Sequence, residues 1–439
     1  MANQPPILLM PQGSAGDVHP FVGIGLELQR RGHHVTLATN GHFRGLAGKV
    51  GLSFYEIGSA EHFDEVTQNP DLWKPSIKST KVVFGMSAQV IPQQVRLIQE
   101  RWEQDKRLIV VAGPLAFGAR LISQTLPIKH VTVQLAPAVF PSVEHPPKLP
   151  GLYLPDWSPR WYRKWVWAMA LAITDALLIP KIRKYAREVA CGIPDGHLMH
   201  WWNSPQLTLA MFPDWFASRA SDWPNYVKLC GFGLYDEATD DVLSPQIKTF
   251  LDAGPKPVVF TPGSANVHAA DFFKTSLEVC KRSGRRGIFL TRYADQIPTH
   301  LPQSVEHFDY VPLSKLLPHC SALVYHGGIG TLSQACKAGI PHLVMKLAHD
   351  QFDNAHRLEQ LGVGLSCKPR GYTVNTVKDM LDQLIDRPKV LARCKELAVE
   401  MQSDNGIGKA CDMIEKLNAN IKVTCSHSSS LLLLKDNEL

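Results

Sequence analysis

Short apolar and β-branched runs alternate with helical patterns along most of this chain, and that alternation restricts the fold to parallel sheets covered by helices. In the first half the strand-like runs are Pro6 to Pro11, His33 to Thr39, Arg107 to Ala112, His130 to Leu135, Leu207 to Met211 and Tyr226 to Gly231. A second series begins at Pro257 and continues with Gly287 to Arg292, Glu306 to Val311, Ala322 to His326 and His342 to Lys346. Between the two series, Leu234 to Pro257 carries Asp236, Glu237, Asp240 and Asp241 with prolines and a glycine around a short amphipathic helix, which is the composition of an interdomain linker. At 439 residues the chain exceeds one ordinary core and has room for two lobes of about 200 residues each. The expected class is α/β, with two doubly wound Rossmann-like domains facing each other across a cleft. Their expected spans are 1–240 and 257–420, joined by a linker over 241–256 and followed by a loosely ordered tail over 421–439. Ligands of such sheets sit outside the carboxyl ends of the strands.

Charge and cysteine usage narrow the partners. Lys and Arg number 46 against 40 Asp and Glu, giving +6 and a pI near 8.7 without a polybasic block, so no nucleic-acid partner is expected. The nine cysteines are scattered, with no Cys-x-x-Cys pair, and read as reduced cytosolic thiols. Met1 to Pro6 has no basic start and runs straight into a strand, so no signal peptide is expected and the localisation is read as cytoplasmic. The longest apolar stretch, Trp165 to Ile179, is 15 residues, against the ~20 that a spanning helix needs.

The strongest chemical signal follows the strand Ala322 to Tyr325, at His326-Gly327-Gly328-Ile329-Gly330-Thr331. A glycine-rich strand-to-helix turn brings backbone N–H groups close to an anion, and a following helix Thr331 to Lys337 aims its positive dipole end at it. His326 can donate a further hydrogen bond, and Thr331 can both cap the helix and reach phosphate. The alternative is a tight turn with His326 buried as a satisfied core residue. Asp350 lies 24 positions after His326, at the carboxyl end of the next strand and beside Gln351. A carboxylate next to an amide suits vicinal sugar hydroxyls, while Asp350 could also simply cap the helix Gln351 to Leu361. In the first lobe the turn Gln12-Gly13-Ser14-Ala15-Gly16-Asp17-Val18-His19-Pro20 is not a dinucleotide fingerprint. Asp17 there can cap a helix Pro20 to Arg31.

His326, Gly328, Gly330, Thr331, Asp350 and Gln351 together resemble the donor signature of family 1 glycosyltransferases of the GT-B fold. The resemblance implies that His326 and the Gly328 to Thr331 backbone hold the diphosphate of a UDP- or dTDP-hexose, with Asp350 and Gln351 on the sugar. It also implies that Tyr310 stacks on the base, Val311 meets the base edge through its backbone, and Ser14 and Ser264 reach the donor. Tyr310 could equally be a strand residue packed in the core. Gln334 stands where plant members commonly have Glu on the ribose, which leaves uridine against deoxythymidine open. Asp17 matches the catalytic acidic residue of the sterol and antibiotic members, where plant enzymes place His, which implies that Asp17 is the general base, with His19 a second candidate. No Asp-x-Asp metal motif occurs, so no metal or other cofactor is expected. Over about residues 6 to 420 the sequence also resembles the rhamnolipid-type rhamnosyltransferases, which add a sugar to a hydroxy fatty acid lipid. The stretches that carry this are Asp71 to Pro75, Phe212 to Ala217, Asp222 to Pro224, Gly287 to Thr291 and Ala348 to Ala355. The turn Tyr325-His326-Gly327-Gly328 departs from that type, leaving the sugar open.

Trp157-Ser158-Pro159-Arg160-Trp161-Tyr162-Arg163-Lys164-Trp165-Val166-Trp167 leads into the apolar segment to Ile179, followed by Lys181, Arg183, Lys184 and Arg187. Aromatic and basic residues flanking an apolar helix suit a lipid pocket, a peripheral membrane contact, or a core helix with a solvated basic end. The resulting expectation is a metal-independent inverting glycosyltransferase that moves a hexose to a hydroxyl of a small hydrophobic or lipid acceptor. A nucleotide-sugar epimerase of the same fold, or a catalytically silent sugar-nucleotide-binding helper, are the rival readings.

Overall fold

The computed structural model describes residues 4–155, 157–192, 194, 196–236, 243–264 and 266–419. The expected 421–439 tail and residues 237–242 of the linker region lie outside them. Strands β1 (Ile7–Met10), β2 (Val35–Thr39), β3 (Ser53–Glu56), β4 (Ile109–Ala112), β5 (Lys129–Gln134), β6 (Leu207–Ala210) and β7 (Val227–Leu229) form a seven-stranded sheet in the order β3-β2-β1-β4-β5-β6-β7. A second sheet has six strands: β8 (Val258–Thr261), β9 (Gly287–Leu290), β10 (Val305–Phe308), β11 (Ala322–Tyr325), β12 (His342–Met345) and β13 (Gly364–Cys367), in the order β10-β9-β8-β11-β12-β13. Neighbouring strands are parallel throughout, as in β1 against β4 and β8 against β11. Two parallel α/β sheets of Rossmann type are therefore present, as expected. The central strands β1, β4, β11 and β12 are buried along their whole length, which is why they read as continuous apolar runs.

The sequence reading missed the edge strands β3 and β13. β3 reads Ser-Phe-Tyr-Glu and is mostly exposed, and β13 reads Gly-Leu-Ser-Cys, so neither offers an apolar run. Two helix boundaries also move, both at prolines. The first helix spans Ala15–Arg30 and not Pro20 to Arg31, with Pro20 inside it. The Trp-rich helix spans Arg160–Glu188, 29 residues, with Pro180 inside it. By length and composition this helix could cross a membrane, so the 15-residue expectation understated it. Its Trp167, Leu171, Leu178, Ile179 and Ile182 are nevertheless buried against the first lobe.

The lobes share a core. Phe212, Phe216, Trp223 and Phe232, from the chain around β7, are buried in one cluster with Val259, Ile288 and Leu323 of the second sheet. Arg357 Nη1 donates to Phe216 O at 3.3 Å, and Asp353 Oδ1 accepts from Lys148 N at 2.9 Å. Trp73 packs against the other face of the second sheet, and Ser79 Oγ lies 3.3 Å from His349 Nε2. Several stretches behind the rhamnosyltransferase-type resemblance are thus contacts between the lobes.

The last helix, Gly406–Ala419, does not stay with the second sheet. Ala410, Cys411 and Ile414 are buried with Val18, Phe21 and Leu28 of the first helix, and Arg31 pairs with Asp412 and Glu415 at 2.6 and 2.8 Å. The chain therefore crosses between the lobes twice, and the expected 257–420 span includes a helix that packs on the first lobe. At the crossings Phe232 N donates to Asp404 Oδ2 at 3.0 Å. Gly231 has φ +103°, and a Cβ there would strike the Asp404 carboxylate.

Candidate active site

All the residues read above as catalytic or donor-binding candidates line one cavity of about 1840 Å³ between the lobes. Asp17 stands on the first-lobe side. The first helix opens with Ser14 as N-cap, and Asp17 occupies the third helical position, not the cap. Its Oδ2 accepts from Ser14 N at 2.8 Å and from Ser14 Oγ at 3.1 Å. Ser14 is thereby committed to holding Asp17. Gly13, at φ +129°, leaves room for the carboxylate, since a Cβ there would lie 2.2 Å from Asp17 Oδ2. Burial raises the Asp17 pKa and outweighs the two hydrogen bonds from Ser14. His19, two residues further along, packs edge-on against Tyr235 at 5.8 Å between centroids and also lines the cavity.

The opposite side is the strand-to-helix turn after β11. Its helix spans Ile329–Ala338 with Gly328 as N-cap, so Thr331 lies at the third helical position and not at the cap. The N–H groups of that first turn have no partners within the helix and can meet an anion. His326 sits between two glycines. A Cβ on Gly328 would lie 2.5 Å from its Nε2, and one on Gly263 would lie 2.9 Å from Cε1. Burial pushes the imidazole down to about 4, so it is neutral at physiological pH, and Nδ1 is buried without a partner. Beneath the turn, Tyr325 Oη lies 3.1 Å from His342 Nδ1 and Cys336 Sγ lies 3.5 Å from His342 Nε2, fixing β11, β12 and the helix to one another.

Asp350 stands at the N-cap of the Gln351–Gln360 helix, yet its carboxylate caps no helix N–H. Asn354 Nδ2 donates instead to Asp350 Oδ2 at 2.8 Å and to Gly327 O at 3.0 Å, tying the carboxylate to the His326 turn. Sequence reasoning missed this role, although Asn354 follows Asp350 at helical i+4 spacing. Burial first, and the Asp17 carboxylate across the cleft second among the raising causes, push Asp350 up to about 6. Gln351 is more constrained than expected. Its Oε1 accepts from Leu347 N at 2.7 Å and Ala348 N at 3.0 Å, which leaves the amide nitrogen as the group that can reach a ligand.

The remaining donor-side residues spread along the same edge. β10 ends at Phe308, so Tyr310 belongs to the following loop. It is 42% exposed, not packed in the core, with the Arg292 guanidinium 5.7 Å from its ring centroid. Val311 is buried, Gln334 lies inside the Ile329–Ala338 helix, and Ser264 lies exposed beyond β8. The first-lobe half of the cavity is apolar, walled by Phe84, Leu115, Val139, Met169, Leu178 and Trp202. Among the described residues no three His, Cys, Asp or Glu side chains are placed to hold a metal ion.

Residues 7–122 match the glycosyltransferase family 28 N-terminal domain, and residues 288–417 match the C-terminal domain of erythromycin biosynthesis protein CIII-like proteins. The chain is a glycosyltransferase of the GT-B fold. This glycosyltransferase is 25% identical to the O-mycaminosyltylonolide 6-deoxyallosyltransferase of Streptomyces fradiae, covering 93% of this chain and 97% of that enzyme. It is also 25% identical to a sterol 3-beta-glucosyltransferase of Arabidopsis thaliana over 92% of its own length, and spans 64% of the plant enzyme. It spans 28% of a sterol 3-beta-glucosyltransferase of Candida albicans. In three dimensions it superposes on the kitacinnamycin glycosyltransferase with a TM-score of 0.71 at 21% identity, covering 94% of this chain and 99% of the other. The glycosyltransferase VinC in complex with dTDP gives 0.63 at 19% identity, with 94% and 99% covered. Identities at this level establish the shared fold, while the residue roles rest on the geometry above.

Proposed function

We propose that this glycosyltransferase moves a hexose from a UDP- or dTDP-sugar to a hydroxyl of an apolar acceptor, with inversion and without a metal. The observation that carries this is the placement of Asp17 and the His326 turn on opposite walls of one cleft, with an apolar chamber on the Asp17 side. The acceptor oxygen bonds to the anomeric carbon as the bond from that carbon to the diphosphate oxygen breaks. The hydroxyl proton passes to the Asp17 carboxylate, whose raised pKa suits a base. Charge developing on the departing diphosphate meets the N–H groups at the start of the Ile329–Ala338 helix and the neutral His326 imidazole. Asp350 and the Gln351 amide nitrogen orient the hexose, and Tyr310 stacks on the base.

The reading extends to where the acceptor comes from. Trp161, Trp165, Met169 and Ile173 recur every four residues along the Trp-rich helix and are 73, 57, 45 and 50% exposed. Trp165, Met169 and Ile173 also line the cavity, so this stripe runs from the surface into the acceptor chamber. Exposed Lys164, Lys181, Arg183 and Lys184 accompany it. This combination supports peripheral contact with an anionic bilayer on the cytoplasmic side, from which a greasy acceptor enters.

Calorimetric titration with UDP, dTDP and their hexose conjugates, with and without EDTA, tests the donor half. Binding of one diphosphate that EDTA does not alter, and that His326→Ala weakens, is the expected result. Asp17→Asn should bind that donor normally while turnover falls by about 10²–10⁴. Wild-type turnover in Asp17→Asn would remove Asp17 as the base, and product formed without acceptor would point to an epimerase.

A further inference from the structure

The apolar acceptor chamber has a polar floor that the transfer reaction does not use. Met10 of β1, Ala112 of β4 and Thr132 of β5 lie at one register level across the first sheet. Gln12 follows Met10 by two residues and Gln134 follows Thr132 by two, so the two glutamines flank the end of β4 at the same height. Two strand spacings put their backbones ~10 Å apart. Between them β4 gives way to Gly113, whose N–H donates to Met10 O at 3.1 Å.

Alternation along β5 places Val131 and Val133 in the cluster under the first helix and turns Thr132 and Gln134 to the other face. On β1, Ile7 and Leu9 join that same cluster, whereas Leu8 and Met10 face the cluster that holds Phe84, Leu178 and Trp202. The Gln134 face is thus the one covered by the chamber walls.

Both glutamines line the cavity, and both are more than nine-tenths buried, Gln12 at 8% exposure and Gln134 at 0%. Each has a polar atom without a partner. Gln134 Nε2 donates to Asn203 Oδ1 at 2.8 Å, and Asn203 Nδ2 in turn donates to Met199 O at 3.3 Å, which orients the carboxamide and leaves Gln134 Oε1 unpaired. Gln12 Nε2 is likewise buried and unpaired. A buried donor and a buried acceptor without partners are a cost to the free protein that a ligand with matching groups would remove.

We propose that Gln12 and Gln134 hold a second polar group of the acceptor, distinct from the hydroxyl presented to Asp17. The acceptor class is then an apolar skeleton with two oxygen functions, not a simple alcohol. A hydroxyl or carbonyl at that point accepts from the Gln12 amide, and a hydroxyl also donates to Gln134 Oε1. Gln12 precedes Gly13, the residue that makes room for the Asp17 carboxylate, so the two oxygens of the acceptor stand within about one to two strand spacings, ~5–10 Å. This inference rests on the transferase reading of the cleft.

The test compares dodecan-1-ol with dodecane-1,6-diol, read first by quenching of tryptophan emission, since Trp165, Trp167 and Trp202 line the chamber. The diol should bind the wild-type protein about tenfold more tightly than the mono-alcohol, the worth of one buried hydrogen-bonded group. Gln134→Leu removes the unpaired buried Oε1 but also takes the donor away from Asn203 Oδ1, so its folding is checked by circular dichroism before binding is read. In that variant the preference should vanish, with the mono-alcohol binding as well as or better than before, while dTDP or UDP binding in the second lobe is unchanged. Equal affinities for the two alcohols in the wild type, or equal weakening of both by Gln134→Leu, would overturn the proposal. Turnover is then measured with donor present. A diol bound with the expected preference but never glycosylated would sink the transferase reading and not the polar floor. Turnover without any preference would sink the floor alone.

Discussion

The Asp350 carboxyl is pushed up to about 6 by burial first and then by the facing Asp17 carboxylate, so at neutral pH the fold holds an ionised Asp350 at a cost. A group whose folded pKa lies above its unfolded value stabilises the fold at low pH and loses that contribution as pH rises through the folded value. Asp350→Asn should therefore raise the stability of the free protein at pH 7.5 by about 1–3 kcal/mol, with the gain closing near pH 4. Urea midpoints at the two pH values check this, and a gain that persists at pH 4 would contradict the electrostatic cause. Transfer should fall in the same variant if Asp350 orients the sugar. At this scale the residue types are legible in the sequence and their partners are not. Asp17 stands out as a possible base, but the Ser14 bonds that hold it and the Gly13 that admits it are facts of the turn's path. Gln12 reads only as part of a motif, and Gln134 only as part of a strand, because a glutamine acquires meaning when its neighbours fail to pair with it.

Helices and strands show where the physical signal in the sequence runs out. The buried strands β1, β4, β11 and β12 are legible as apolar runs because both faces are covered, while β3 and β13, at the edges, carry polar residues that no period reveals. Pro20 and Pro180 read as helix boundaries and lie inside helices. A proline costs a helix one hydrogen bond, but Val18, Phe21 and Ile24 around the first, and Leu178, Ile179 and Ile182 around the second, are buried firmly enough to offset it. The Trp-rich helix also carries the membrane reading. Trp161→Asp combined with Trp165→Asp should abolish co-sedimentation with vesicles rich in anionic lipid and leave UDP or dTDP binding unaltered. Equal sedimentation of wild type and double variant would remove the stripe as a docking surface.

Considered as a whole, the molecule buries several neutral histidines. His130 and His342 are held at about 3 and His326 at about 4, by burial and, for His130, also by the Arg120 charge. Depressed histidines keep their full contribution above the unfolded value near 6.5 and lose it as pH falls, since the unfolded chain takes up the protons first. Asp350, held at about 6, acts in the opposite sense over much of that window, leaving a net loss on the order of 1–3 kcal/mol per pH unit between pH 6.5 and 4. Urea unfolding at pH 7, 6 and 5 should give steadily falling midpoints, and a flat profile would show that these histidines are not neutral in the fold. The two-lobed plan is legible from the two strand series, and the return of the last helix is not, because its apolar stripe fits either lobe. That return means that two segments join the lobes, tied to each other where Phe232 meets Asp404. A single tether would let the donor lobe rotate freely. Two bound side by side, like the spine of a book, resist that rotation, so the His326 turn and Asp17 keep one alignment across the cleft.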